Sequence, residues 1–332
     1  MKQWRFWLGM AISLVCLILV LWNVDFREVL AALRNANYFW LLPASLPYVG
    51  TLASKVLRWQ LLFPPEHESV RRRKLFSALM ISYALNTILP ARLGELARAY
   101  VLGETEQLSK SLTLSTIVVE KVLDVLTLLF FLVLLLPFVT LPSWVQRPAL
   151  VMGPLFLCLL AVIVALTYQR ERTLRLASSL LRRLPRVGPE SILGSLGAAL
   201  RGFDVLRSAR RDIYLGAWSL AVWITSGLFI LFVMFAFHID APPSAAVLVL
   251  CVTALGMTVP SSPGYIGVYH ALVVSTLAIF DVDREVALSY AFALHAVTFL
   301  PLTLLGIFYM MKENYSLQKI EEATLAGMEA DR

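Results

Sequence analysis

The run Asn86-Thr-Ile-Leu-Pro90-Ala-Arg92-Leu-Gly94-Glu95-Leu-Ala-Arg98 sets three charged side chains just beyond a helix-breaking proline, inside an otherwise apolar stretch. If helix resumes at Pro90, spacings of three put Arg92, Glu95 and Arg98 on neighbouring positions of one face. Arg92 or Arg98 can then offer a planar fork to a phosphate while Glu95 holds the other guanidinium. A purely structural Arg/Glu staple would use the same residues. Downstream, Glu120, Lys121 and Asp124 fall within one apolar run, and Glu120 and Asp124, four apart, share a face. Two carboxylates at membrane depth must find cations or neutralise, and Arg92 and Arg98 are the expected partners. Such a network suits an anionic headgroup, and a protonatable member would couple its movement to protons.

A second interrupted stretch reads Pro260-Ser-Ser-Pro263-Gly264-Tyr-Ile-Gly267-Val-Tyr-His270. Prolines free backbone carbonyls, and glycines permit close approach or left-handed geometry. The half-helix that follows presents N–H groups toward the interruption, a place for an anion. His270 and His295 are able to titrate or donate hydrogen bonds, or to serve as ordinary packing residues. Lys55, at the inner end of an apolar run, has the length to snorkel to the interface as an anchor.

The elements that must position these residues follow from composition. The chain is 59% hydrophobic and 15% charged, with mean hydropathy +0.75, whereas soluble domains are about 25% charged. Six runs, roughly 4–22, 38–58, 113–137, 148–168, 213–237 and 287–311, approach the ~20 residues a helix needs to span ~30 Å of hydrocarbon. Residues 1–22, with Lys2 and Arg5 ahead of an apolar stretch, resemble a signal peptide, but Val20-Leu21-Trp22 lacks small cleavage-site residues, so the run is read as a retained helix. Residues 75–103 and 246–280, each broken in the middle, read as pairs of half-helices.

Charge decides how those pairs fold, because Lys and Arg collect on the cytoplasmic side. With both broken stretches as re-entrant hairpins and the N-terminus inside, 23 of the 29 Lys and Arg fall in inside segments and four (Arg27, Arg34, Arg147, Arg284) outside; Lys55 and Lys121 lie within helices. A single crossing by 75–103 would separate the cluster at 71–74 from the Arg-rich segment 169–211. The expected fold is therefore an all-α polytopic membrane protein of six full spans plus two re-entrant helical hairpins. Both termini lie on the cytoplasmic side of the cytoplasmic (inner) membrane. Span, span, hairpin, span occurs twice, in 4–137 and 148–311, from opposite sides; this is an inverted-topology repeat, an arrangement by which transporters build a midplane site. Interrupted backbone in lipid is costly unless it lines a cavity.

Residues 169–211 join the repeats, with Leu174, Leu176, Leu180, Leu181 and Leu184 among Arg172, Arg175, Arg182, Arg183 and Arg186. They read as a cytoplasmic basic amphipathic connector lying on anionic lipid. The charge of +7 thus has a membrane explanation, and no groove-reading motif points to nucleic acid. Cys16, Cys158 and Cys251 lie singly in apolar runs, so neither a disulfide frame nor a metal site is expected. The tail from Lys312 is short, polar and mixed in charge.

The ordered set NTILPARLGELARAY, VVEKVLDVL and PSSPGYIGVYH resembles the flippase-like family typified by the transmembrane region of bacterial lysylphosphatidylglycerol synthase. The resemblance spans most of the chain. Asn86, Pro90, Arg92, Gly94, Glu95 and Arg98 match its first block, and Glu120 and Asp124 its next helix. The family's second block has an acidic residue where this chain has His270. The soluble aminoacyl-transferase domain of the full-length synthases has no counterpart, so the resemblance implies lipid translocation without aminoacylation. The expected activity is movement of an anionic phospholipid or polyprenyl-phosphate headgroup, without a cofactor or metal. Asn86, Arg92, Glu95, Arg98, Glu120, Asp124 and His270 would contact the substrate; Pro90, Gly94, Pro260, Pro263, Gly264 and Gly267 would form the hairpin breaks. The alternatives are a non-transporting membrane partner of a lipid-modifying enzyme and a lipid-linked glycosyl- or phospho-transferase. The transferase would want an interfacial acidic metal cluster or a nucleotide-sugar domain, and the sequence offers neither.

Overall fold

The computed structural model describes residues 3–22, 24–64, 70–89, 94–181, 194, 197–198, 200, 209–258 and 261–315. Among these every regular element is helical: α1 (Gln3–Leu21), α2 (Phe26–Asn35), α3 (Leu41–Leu61), α4 (Arg72–Ile88), α5 (Gly94–Glu106), α6 (Lys110–Leu135), α7 (Ser143–Tyr168), α8 (Arg170–Leu181), α9 (Ala209–Ala236), α10 (Pro243–Gly256), α11 (Val268–Leu277) and α12 (Arg284–Lys312). Local chemistry sets several starts. The Asp25 carboxylate accepts from the Arg27 N–H at 2.8 Å ahead of α2, the Ser109 side chain caps α6, and a proline opens α10.

Ser143–Ile163, Arg210–Ala236, Pro263–Phe280 and Arg284–Lys312 are long and apolar enough to cross a membrane, and Gly9–Leu21 with Phe26–Asn35 qualifies as a pair bent by 86°. This is a multi-pass membrane protein. Large apolar side chains such as Phe39, Leu46, Leu150 and Phe138 are exposed, as a lipid-facing surface requires. The expected spans at α3 and α6 have 21 and 26 helical residues, about 32 and 39 Å. Their charged residues keep them below the same apolar mark. Pro263–Phe280 is not one straight rod: Gly264 and Gly267 have φ of +68° and +88°, and the α-helical part is the ten residues of α11. At about 15 Å it covers half of a hydrocarbon core.

Contacts between helix ends fix relative directions. The Arg71 guanidinium meets Glu106 at 2.9 Å, so the chain enters α4 and leaves α5 at one end of the molecule. Lys74 meets Glu313 at 3.1 Å, and the Arg211 guanidinium donates to the Phe63 carbonyl at 3.0 Å, bringing the end of α12 beside the start of α4 and the start of α9 beside the end of α3. Elsewhere the Asn37 N–H donates to the Ala236 carbonyl at 2.7 Å, joining the start of α3 to the end of α9. The Arg284 guanidinium donates to the Leu19 carbonyl at 2.6 Å, placing the start of α12 at the end of α1.

The packing crosses the chain's midpoint. α3 lies along α9, α4 against α12, and α6 against α10. Small residues allow the closest approaches. A Cβ at Gly306 of α12 would run into the Met80 carbonyl of α4, and one at Gly94 into the Ser82 carbonyl. α7 is the exception: its membrane-length part is 6% buried, and it leans on α6. Of the connector 169–211, α8 carries helix through Leu181; most of the remainder, including Arg182, Arg183 and Arg186, lies outside the described residues, as does the tail beyond Tyr315.

Candidate functional site

The two interruptions meet. α4 ends at Ile88, and the Gly94 N–H that opens α5 donates to Asn86 Oδ1 at 3.0 Å. The second interruption lies against the same turn, where a Cβ on Gly264 would stand 3.7 Å from Thr87. It also crosses the middle of α1: the Ser262 N–H donates to Ser13 Oγ at 2.8 Å, and Gly267 packs so closely on the Ser13 carbonyl that a Cβ there would overlap it. On its other side the Gly264 carbonyl is 2.8 Å from His295 Nε2, well inside α12. The second break therefore sits at mid-depth of two long helices. Pro90, Arg92 and Pro260 lie outside the described residues; Gly94, Pro263, Gly264 and Gly267 lie at the breaks, with positive φ at Gly264 and Gly267.

A cavity of about 470 Å³ opens beside this junction. Lys55 comes from α3, Asn86 and Glu95 from the first broken stretch, Lys121 and Asp124 from α6, Tyr265 from the second break, and Phe299 from α12. The cavity wall thus combines charged side chains with aromatic and aliphatic ones.

Behind that wall the charges interlock. Arg58 Nη1 is 2.7 Å from Asp124 Oδ1, and Nη2 is 3.4 Å from Glu120 Oε1. The other carboxylate oxygen of Glu120 meets Arg98 Nη2 at 2.8 Å. The Arg98 guanidinium lies 3.4 Å from the centre of the Trp59 ring, whose own N–H donates to Thr116 at 3.0 Å. Arg58, Arg98 and Glu120 are essentially sealed, at 0, 1 and 3% exposure, so their charges persist by mutual pairing and by stacking. Nearer the cavity, Lys121 Nζ meets Glu95 Oε1 at 2.7 Å. Lys55 Nζ donates to the Tyr83 hydroxyl at 2.8 Å and faces the Trp223 ring 5.8 Å away.

Of the residues expected at the site, Asn86, Glu95 and Asp124 line the cavity, while Arg98 and Glu120 form the buried brace behind it. His270 is not on the cavity wall. Its Nδ1 accepts from the Gly267 N–H at 3.3 Å, and its ring packs on Phe292 and His295 with centroids 4.6 and 5.0 Å apart. Two expected pairings and one expected location change. Glu95 engages Lys121 rather than an arginine, and Asp124 is held by Arg58, at the very end of the expected span 38–58. Lys55 points into the cavity rather than anchoring at the interface. Spacing carries the signal for both: Lys55 and Arg58, three apart, share a face of α3.

This geometry invites comparison with known proteins. The family model described as the lysylphosphatidylglycerol synthase TM region matches residues 6–306. The chain belongs to that family. A UPF0104 membrane protein of Methanothermobacter thermautotrophicus is 23% identical over 314 residues, covering 89% of this chain and 91% of that protein. A UPF0104 membrane protein of Methanocaldococcus jannaschii is 21% identical over 316 residues, covering 90% and 92%. The glycosyltransferase AglD of Haloferax volcanii is 24% identical over 348 residues, covering 93% of this chain but 54% of that protein. No solved structure matches the chain significantly.

Proposed function

We propose that this member of the lysylphosphatidylglycerol synthase TM region family is a flippase-like carrier, not an enzyme. It takes an anionic lipid headgroup, of phospholipid or polyprenyl-phosphate type, across the cytoplasmic membrane. The observation that carries the reading is the mixed cavity at the junction of the two interrupted segments, lined by Lys55, Glu95, Lys121 and Asp124 together with aromatic and aliphatic side chains. A headgroup moved between leaflets must exchange its hydration for fixed polar partners, which such a wall supplies.

The architecture supports it. Arg71 beside Glu106 favours a re-entrant α4–α5 hairpin, and the shortness of α10 and α11 favours a second. In an inverted repeat of 4–137 and 148–311, α3 corresponds to α9, so their pairing is self-related. The packing of α4 on α12 and of α10 on α6 is then one contact used twice. With basic residues inside, both termini are cytoplasmic.

The match to AglD favours one other reading, action on a lipid-linked sugar. Only 54% of that glycosyltransferase is shared, which suits a common lipid-handling part better than a common transferase. The test is Glu95→Gln in reconstituted protein. It should remove accelerated lipid exchange while leaving monodisperse protein; unchanged exchange would reject the assignment of this cavity.

A further inference from the structure

The carboxylates at the site are Glu95, Glu120 and Asp124, and the cations are Lys55, Arg58, Arg98 and Lys121. Each carboxylate is paired with Arg58, Arg98 or Lys121. Of these four described cations, the one with no carboxylate within ion-pair distance is Lys55, whose ammonium meets a phenol and an indole face. The described site therefore holds one more positive charge than negative, and that charge stands on the cavity wall. An ammonium in such a place is unbalanced until an anion arrives, and a phosphodiester brings one negative charge with two free acceptor oxygens.

Next to the cavity lies a smaller apolar groove of about 190 Å³ between α6, α9 and α10, lined by Phe131, Ile224, Leu228 and Val247 among others. The two spaces share Trp223 and Leu250 as walls. Trp223 is 8% exposed, and its Nε1 donor is buried without an acceptor among the described residues. A buried donor left unpaired is unfavourable, so an acceptor at the divide between the polar and apolar spaces would be favoured. A glycerophospholipid has that layout: a phosphodiester, then ester carbonyls, then an acyl chain.

Building on the carrier reading, we infer that Lys55 is the residue that binds the phosphodiester of a singly charged glycerophospholipid. One acyl chain occupies the groove beyond Trp223 and Leu250. Free phosphate would satisfy Lys55 but leave the groove and the indole N–H unused.

The experiment measures binding by the purified full chain in detergent, using dioleoyl phosphatidylglycerol, glycerophosphoglycerol and inorganic phosphate as separate probes. The lipid should bind at least about tenfold more tightly than either soluble probe. Lys55→Gln should weaken lipid binding about 10-fold or more, the worth of a charge-assisted hydrogen bond of roughly 1.5–3 kcal/mol, with Lys55→Arg keeping most of it. Leu250→Trp, which fills the shared wall, should weaken the lipid and spare glycerophosphoglycerol. Should Lys55→Gln not yield monodisperse protein, Trp223→Phe is read instead, with a loss of about threefold expected. Equal lipid binding by wild type and Lys55→Gln would overturn the inference, as would inorganic phosphate binding as tightly as the lipid. Lys55-dependent binding in a protein that exchanges no lipid would keep this inference and reject the carrier reading. Lipid exchange untouched by Lys55→Gln would do the reverse.

Discussion

Arg58 Nη1 lies 2.7 Å from Asp124 Oδ1, and through Nη2 the same guanidinium reaches Glu120, so a single fork on α3 holds two carboxylates of α6. Removing it would leave Asp124 short of a cation and Glu120 dependent on Arg98 alone. Arg58→Ala should destabilise the protein by about 3–5 kcal/mol, the range for breaking a buried ion pair, read as an earlier thermal transition in detergent. Arg58→Lys should recover little, because one ammonium cannot span both carboxylates. A transition unchanged in Arg58→Ala would show that the brace contributes nothing.

Glu95 and Lys121 pair at 2.7 Å with 23% and 46% of their side chains exposed, so this bridge is partly wet. Its contribution to folding should be small, about 1 kcal/mol or less, and its effect on the charge of the cavity larger. Lys121→Gln should slow lipid exchange without lowering the yield of folded protein. The double variant Glu95→Gln/Lys121→Gln, which restores charge balance, should exchange lipid faster than either single variant. Additive losses in the double variant would argue against charge balance as the cause.

Gly94 and Gly267 have no room for a Cβ, the first against the Ser82 carbonyl and the second against that of Ser13, and Gly267 also has φ +88°. Gly94→Ala should cost about 1–3 kcal/mol through overpacking, and Gly267→Ala should add roughly 1–2 kcal/mol of backbone strain. Both should reduce the monodisperse fraction on size-exclusion chromatography. Gly153→Ala on α7, where a Cβ meets nothing within 4 Å, is the control and should be neutral. Equal yields for all three would contradict the close crossings.

The proposed inverted repeat would place the α5–α6 turn and the turn before α12 on opposite faces of the membrane. In a variant lacking Cys16, Cys158 and Cys251, Gln107→Cys should react with an impermeant maleimide only from the cytoplasmic side, and Asp281→Cys only from the outer side. Labelling of both from one side would refute the two-hairpin topology.

The charges of the first broken stretch and of α6 could be read from the sequence because Glu95, Arg98, Glu120 and Asp124 interrupt apolar runs, where charge is expensive. Lys55 and Arg58 were hidden by position. They stand near the end of an apolar run, where basic residues ordinarily face the interface, and only the packing of α3 against α9 and α6 turns them inward. His270 looked available because its neighbours break the helix; the capping contact with Gly267 uses its Nδ1 instead. The breaks at Gly264 and Gly267 could be anticipated from glycine and proline alone, whereas the meeting of Gly264 with Thr87 joins residues nearly 180 positions apart, which no local pattern encodes.

Movement of lipid between leaflets is read by leaflet exchange in proteoliposomes. With a labelled anionic phospholipid in one leaflet, liposomes carrying the protein should exchange it faster than empty liposomes, and Glu95→Gln should return the rate to that baseline. Exchange no faster than in empty liposomes, across several anionic phospholipids and a polyprenyl phosphate, would show that the protein is not a lipid carrier.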